Sequence, residues 1–128
     1  MDQLLRLIEE HGLRIVERAG ETWGGYDPRT RTIRLCPGMS ARTTRSVLAH
    51  ELAHAVLGHE PARRGTAQRE RQEHRADEWA ARLLISPDAY AAAEAARGPH
   101  PASLAYELDV TVELVFAFQD LLRRRRAA

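Results

Sequence analysis

"HELAHAVLGH", residues 50–59, holds three of the chain's six histidines and governs how the rest is read. On a helix that advances about 100° per residue, His50 and His54 lie one turn apart and about 40° from each other, so both imidazoles can reach one ion. Glu51 lies about 100° from His50, at the border of that face, where its carboxylate can reach a metal-held water without itself binding the metal. Leu48, Leu52 and Val56 form a separate apolar stripe for packing. H-E-x-x-H on a helix reads as two zinc ligands and a general-base carboxylate; a buried helix that merely carries histidines is the alternative.

A catalytic zinc takes a third protein ligand and keeps a fourth position for water. A histidine ten positions after His50 would be one source, but that position is Glu60. His59 follows Gly58, which ends the helix, and reads as a helix-end or rim residue, with a ligand or substrate contact as the alternative. A second helix offers a better candidate. In "EHRADEWAARLL", residues 73–84, Glu73, Asp77, Ala80 and Leu84 fall within about 60° of each other. Arg71, Arg75, Glu78 and Arg82 take the opposite side, with Glu78 and Arg82 spaced as a surface pair. Two unpaired carboxylates on a buried stripe would each be costly. A metal for Glu73 and an imidazole N–H for Asp77 remove both costs, and Ala76, Ala80 and Ala81 are small enough to let the two helices approach. The alternative is a partly exposed stripe with both acids at its rim.

Outward from these helices the order is helix, small sheet, then helices, an α+β class. Leu4, Leu5, Leu7 and Ile8 predict a short amphipathic helix closed by His11 and Gly12. "LRIVER" (13–18), "TWGGY" (22–26) and "RTIRL" (31–35) predict strands. The last two form a hairpin across Asp27-Pro28-Arg29-Thr30. Ser40 caps a helix running to about Gly58, residues 60–68 form a loop, and a second long helix covers about 69–85. A short helix over Asp88–Ala96 follows. After a linker around Gly98-Pro99, helices over about 102–108 and 112–125, the last capped by Thr111, finish the chain. The expected organisation is residues 1–98 as the site-bearing domain, with residues 99–128 as a C-terminal helical pair packed on it as one structural unit.

Composition excludes several classes. The chain has 128 residues, 44% hydrophobic and 29% charged, with net charge +1, which fits a single globular domain and argues against general polyanion binding. No apolar run reaches the roughly 18 residues of a membrane helix, and the N-terminus lacks the pattern of a secretory signal. The one cysteine, Cys36, cannot form an internal disulfide. It reads as packed, with a thiolate role the alternative; the expected location is the cytoplasm. Every basic residue is arginine. The run Arg123–Arg126 reads as a solvated helix end, with an acidic-partner or nucleic-acid patch the alternative.

H-E-x-x-H followed by E-x-x-x-D on a second helix is the gluzincin pattern. More narrowly, "HELAHAVLGH" and "EHRADEWAARLLISP" resemble the "HELGHxLLGH" and "ExxADxFAAxLLxP" segments of the ImmA/IrrE-type metallopeptidases of prophages and stress-response operons. "YDPRTRTIRL" resembles the strand before that family's motif. The resemblance spans about residues 13–87. Ala53 stands for the usual glycine, Trp79 for phenylalanine, and Ser86 precedes Pro87. The resemblance implies a small zincin-like domain with one zinc per chain, held by His50, His54 and Glu73, with Glu51 the catalytic carboxylate. Asp77 would hold a ligand histidine through its far nitrogen. It further implies an endopeptidase acting on a helix-turn-helix repressor encoded nearby. The alternatives are a non-catalytic zinc-stabilised regulator acting through its C-terminal helices, and a general small peptidase without a repressor target.

Tyr90, Tyr26 and His59 are candidates for a second oxyanion-stabilising or substrate-contacting group. "RTIRL" is the expected edge strand for pairing with an extended substrate. His74 should face solvent, and His11 and His100 fall at a helix end and in a linker. Trp79, Leu83, Phe116 and Phe118 read as core, and Trp23 as either core or groove wall. "SLAYELDVTVELVFAF" (103–118) resembles a helix-turn-helix. Its second helix, however, opens with Val112, Glu113, Leu114 and Val115, which are apolar and acidic where a DNA-reading helix is polar or basic, so it is expected to pack or bind a protein partner, with direct DNA recognition the alternative.

Overall fold

The computed structural model describes residues 1–127. It opens with α1 (Asp2–Glu10), which buries Leu4 and Ile8, followed by β1 (Arg14–Glu17), β2 (Gly24–Asp27) and β3 (Thr32–Leu35). The predicted hairpin forms: β2 and β3 run antiparallel, and the Arg29 N–H donates to Asp27 Oδ1 at 3.0 Å within the turn. β2 begins two residues later than the expected Thr22. β1 adds to the other side of β3 in parallel, so the sheet is mixed, in the order β1-β3-β2.

That order corrects one expectation. "RTIRL" is the central strand, with Ile33 facing Ile15 on one side and Tyr26 on the other. Its ladder groups are already used by two neighbours, leaving none for a substrate. The two edges are β1 and β2. Centrality follows from burial: Ile33 is fully buried and Leu35 nearly so, whereas β1 has no buried residue.

Ser40 caps α2 (Ala41–Val56) as predicted, its Oγ accepting from the Thr43 N–H at 3.1 Å. Thr66 caps α3 (Ala67–Leu84) through the Arg69 N–H at 3.2 Å, so that helix starts two residues before the expected boundary. Ser86 caps α4 (Pro87–Arg97). α5 (Pro101–Leu108) and α6 (Val112–Ala127) join through a left-handed Asp109 (φ 56°). Thr111 donates its backbone N–H to buried Ser46 Oγ at 3.0 Å, and Arg45 donates to the Asp109 carbonyl at 2.7 Å, fastening this turn to α2.

Leu48 and Leu52 of α2 meet Ile33, Ile85, Leu104, Val110, Leu114 and Val115 in one core. α3 lies along α2, with Ala49 and Ala53 on one helix and Ala76 and Ala80 on the other, all fully buried. α6 packs on the other side of α3. Phe118 is buried as expected, but Phe116 is 54% exposed, because the two are a helical half-turn apart and only one can face the core. The expected Glu78–Arg82 pair is replaced: Glu78 is held by Arg124 of α6 and by His74 at 3.1 Å. Arg124 also lies 3.6 Å from Asp120, so part of the terminal basic run is engaged in pairing α6 with α3.

Ala49, Ala53, Ala76 and Ala80 are fully buried, so a larger side chain at any of them would have to displace close-packed neighbours. Ala80→Leu should cost about 1–3 kcal/mol, read from denaturant unfolding, and should loosen the spacing between the two helices. Unchanged stability would mean that the helices can separate freely.

Candidate metal centre

α2 and α3 bring together the four residues whose spacing suggested a site. Nε2 of His50 and Nε2 of His54 lie 3.2 Å apart. Glu73 places Oε2 at 2.6 Å from His50 Nε2 and Oε1 at 3.4 Å from His54 Nε2. Each of the three residues offers one ligand atom such that all lie within 4.8 Å of one another. Asp77, one turn along α3, accepts from His50 Nδ1 at 2.7 Å. Glu73 thus meets the nitrogens that face each other, and Asp77 the far nitrogen of His50.

The donor set fits a metal ion. With its proton on Nδ1 and directed to Asp77, His50 presents a lone pair at Nε2 toward the lone pairs of Glu73 and His54. Three such atoms at hydrogen-bond distance repel unless a cation lies among them. In the metal-free protein a proton serves. Burial would lower the His50 pKa, but hydrogen bonds to Asp77 and Glu73 outweigh it and raise it to about 10. Burial would raise the Glu73 pKa, and the two histidines hold it far below the usual carboxylate range instead. Two imidazoles and one carboxylate oxygen, with a partner behind the first imidazole, are a donor set suited to zinc with a position left open.

Glu51 is buried, only 7% exposed, and burial pushes its pKa up against the opposing pull of His50 and His54. The hairpin covers it closely. A Cβ on Gly24 would come within 2.6 Å of Val47 Cγ1 and 3.3 Å of Glu51 Cγ, so only glycine lets β2 lie against α2 here. His59 meets His54 edge-on, Nδ1 to Nδ1 at 2.9 Å, on the nitrogen away from the converging ligand atoms. Burial and neighbouring positive groups lower its pKa.

These residues border an open groove of about 810 Å³. Tyr26 and the 63%-exposed Trp23 stand on its hairpin side, His59 and Arg64 on its loop side, and Glu113 at the start of α6 closes one end. Trp23 is thus groove wall and not core. Tyr90 is elsewhere: buried against Phe118, its hydroxyl donates to Glu94 at 3.0 Å and accepts from Gln119 at 3.1 Å. Placed at the start of α4, beyond the far end of α3, it cannot serve the site and leaves the candidate set.

One contributor escaped the sequence analysis. Arg69 donates from Nε to Glu73 Oε1 at 2.8 Å and from Nη1 to the Ala62 carbonyl at 3.4 Å, joining the α2–α3 loop to a ligand residue. The signal was present as an arginine four residues before Glu73, the spacing of a helical ion pair.

Two outcomes follow from the donor geometry. Because metal binding must displace the His50 proton, zinc uptake at pH 8 should release about one proton per chain, measured calorimetrically in buffers of different ionisation enthalpy. No release would show that His50 is already neutral. Asp77→Ala should weaken zinc affinity about 10–100-fold without abolishing it, read by chelator competition; unchanged affinity would remove Asp77 from the site.

Comparison with known proteins accords with this arrangement. No curated protein matches the chain. Among solved structures, a Mycobacterium tuberculosis transcriptional regulator shares the fold, with a TM-score of 0.64 and 20% identity over 91% of this chain. The match covers 39% of that regulator, so this chain spans well under half of its length. The Peptidase M78 family, described as the IrrE N-terminal-like domain, matches residues 8–116, from the end of α1 through both site helices and into α6. The chain belongs to the M78 peptidase family, with its characteristic IrrE N-terminal-like domain.

Proposed function

We propose that the chain is a zinc-dependent endopeptidase that cuts a helix-turn-helix transcriptional repressor, and so derepresses phage, mobile-element or stress genes. The observation that carries the peptidase reading is the convergence of His50, His54 and Glu73 beside buried Glu51 along an open groove. Family membership supports peptide-bond hydrolysis. The repressor target comes from the resemblance in the two motif segments.

When bound, zinc would lower the pKa of a water and polarise the scissile carbonyl. Glu51, its pKa raised by burial, is suited to take a proton from the attacking water and pass it to the leaving amine. Asp77 holds His50 in the tautomer that presents Nε2. Arg69 pairs with Glu73 Oε1 and would hold that carboxylate in place beside the two histidines.

An extended substrate segment would add to β2, the edge strand that borders the groove. Tyr26, Trp23 and His59 line its path. The groove is open along its length, and selection would come from docking a folded partner and threading one exposed segment. No helix among the described residues is long and apolar enough to cross a membrane. A repressor substrate would place the enzyme in the cytoplasm.

Glu51→Gln should keep the fold and zinc while lowering cleavage about 10²–10⁴-fold. If a helix-turn-helix repressor is encoded beside this gene, co-expression with it followed by mass spectrometry should give one discrete zinc-dependent cut that Glu51→Gln abolishes. Full biological effect in Glu51→Gln would point instead to a non-catalytic zinc-stabilised regulator. Rapid cleavage of unrelated unfolded proteins, with the neighbour intact, would indicate a general peptidase.

A further inference from the structure

α1 and α2 end in the same way. At the end of α1, Gly12 is left-handed (φ 67°), its N–H bonds the Glu9 carbonyl at 2.9 Å, and the Leu13 N–H bonds the Ile8 carbonyl at 3.1 Å. At the end of α2, Gly58 is left-handed (φ 66°), its N–H bonds the Ala55 carbonyl at 3.2 Å, and the His59 N–H bonds the His54 carbonyl at 3.0 Å. This pair of bonds turns the chain back so that the residue after the glycine comes near the residue five positions before it, commonly as an apolar contact. α1 has the apolar version, for Ile8 and Leu13 are both buried.

α2 puts two imidazoles in those places. His59 Nδ1 lies 2.9 Å from His54 Nδ1, with the ring centroids 5.1 Å apart and the planes at 62°. One nitrogen must donate and the other accept. On the opposite flank of the same ring, His54 Nε2 faces His50 Nε2 at 3.2 Å and Glu73 Oε1 at 3.4 Å. We propose that His59 is a positioning residue of the metal centre, accepting the His54 Nδ1–H and so holding His54 in the tautomer that presents its Nε2 lone pair to the metal.

The role parallels that of Asp77 toward His50, with a neutral imidazole in place of a carboxylate. Its support is a helix cap: the left-handed glycine that ends α2 is also what returns His59 to His54. His59 thereby leaves the set of candidate ligands, since it sits against the nitrogen that faces away from the converging atoms. Gln72, which donates to the Glu60 carbonyl at 2.8 Å, secures the residue that follows it.

The inference rests on His54 being a metal ligand, and the test separates the two. Zinc affinity of the full chain is measured by competition with a chromophoric chelator for the unaltered protein, His59→Ala, His59→Asn and His54→Ala. Asparagine places its carbonyl oxygen about where the imidazole Nδ1 sits, so it can accept the same hydrogen bond. His59→Ala should weaken zinc affinity about 10–100-fold, His59→Asn should recover most of that loss, and His54→Ala should cost far more than either. The melting temperature of the metal-free protein should be the same in His59→Ala and the unaltered chain, which a purely structural role would not give. Native affinity in His59→Ala, an asparagine variant no better than alanine, or a loss equal to that of His54→Ala would each overturn the positioning role. Absence of zinc binding by the unaltered chain, or full affinity in His54→Ala, would overturn the metal reading itself and this inference with it.

Discussion

The centre depends on two carboxylates of α3 meeting imidazoles of α2 across a face of alanines. Glu73 and Asp77 are each about one-third exposed, and His50 and His54 still less. Charges withdrawn from water in this way are tolerated only when paired at short range. The pairing distances of 2.6 and 2.7 Å require the helix axes to approach closely, which Ala49, Ala53, Ala76 and Ala80 permit. Packing and site chemistry therefore constrain each other: larger residues at the contact would separate the carboxylates from their partners, and unpaired carboxylates would oppose the contact.

Around this pair, supporting residues come from elements of different kinds. Asp77 stands on the rigid middle of α3, Arg69 on its first turn, and His59 on the turn that ends α2. The hairpin reaches the same place from the opposite side because Gly24 lets β2 lie against Val47 and Glu51. The turn between α5 and α6 is tied to α2 through Ser46 and Arg45, which brings Thr111 and Glu113 to the end of the groove. The C-terminal helices thus contribute to the groove wall as well as to the core.

The sheet shows why an exposed strand could not be identified from pattern alone. "RTIRL" alternates as a half-buried strand should, and so do many edge strands. Its position in the middle depends on β1, some fifteen residues earlier, returning to pair in parallel. Alternation describes which faces are apolar, whereas strand order depends on which neighbours the connecting segments allow. Tyr90 failed as a site candidate for a related reason: a tyrosine near a motif in sequence can lie at the opposite end of the helix that carries the motif.

Local spacing alone determined the α+β class, the caps at Ser40, the hairpin turn, the apolar stripe of α2, and the four residues His50, His54, Glu73 and Asp77. Each of these follows from periodicity or capping within a single element or turn, where backbone geometry fixes relative direction. Only the tertiary structure decided that β2 is the free edge beside the groove, that Trp23 lines the groove while Phe116 faces solvent, and that Arg124 pairs with Glu78. It also placed His59 behind His54 and Arg69 on Glu73, where sequence spacing had left His59 open and passed over Arg69. Those placements depend on how separate elements pack and on where a chain turns back on itself, and periodicity carries no information about either.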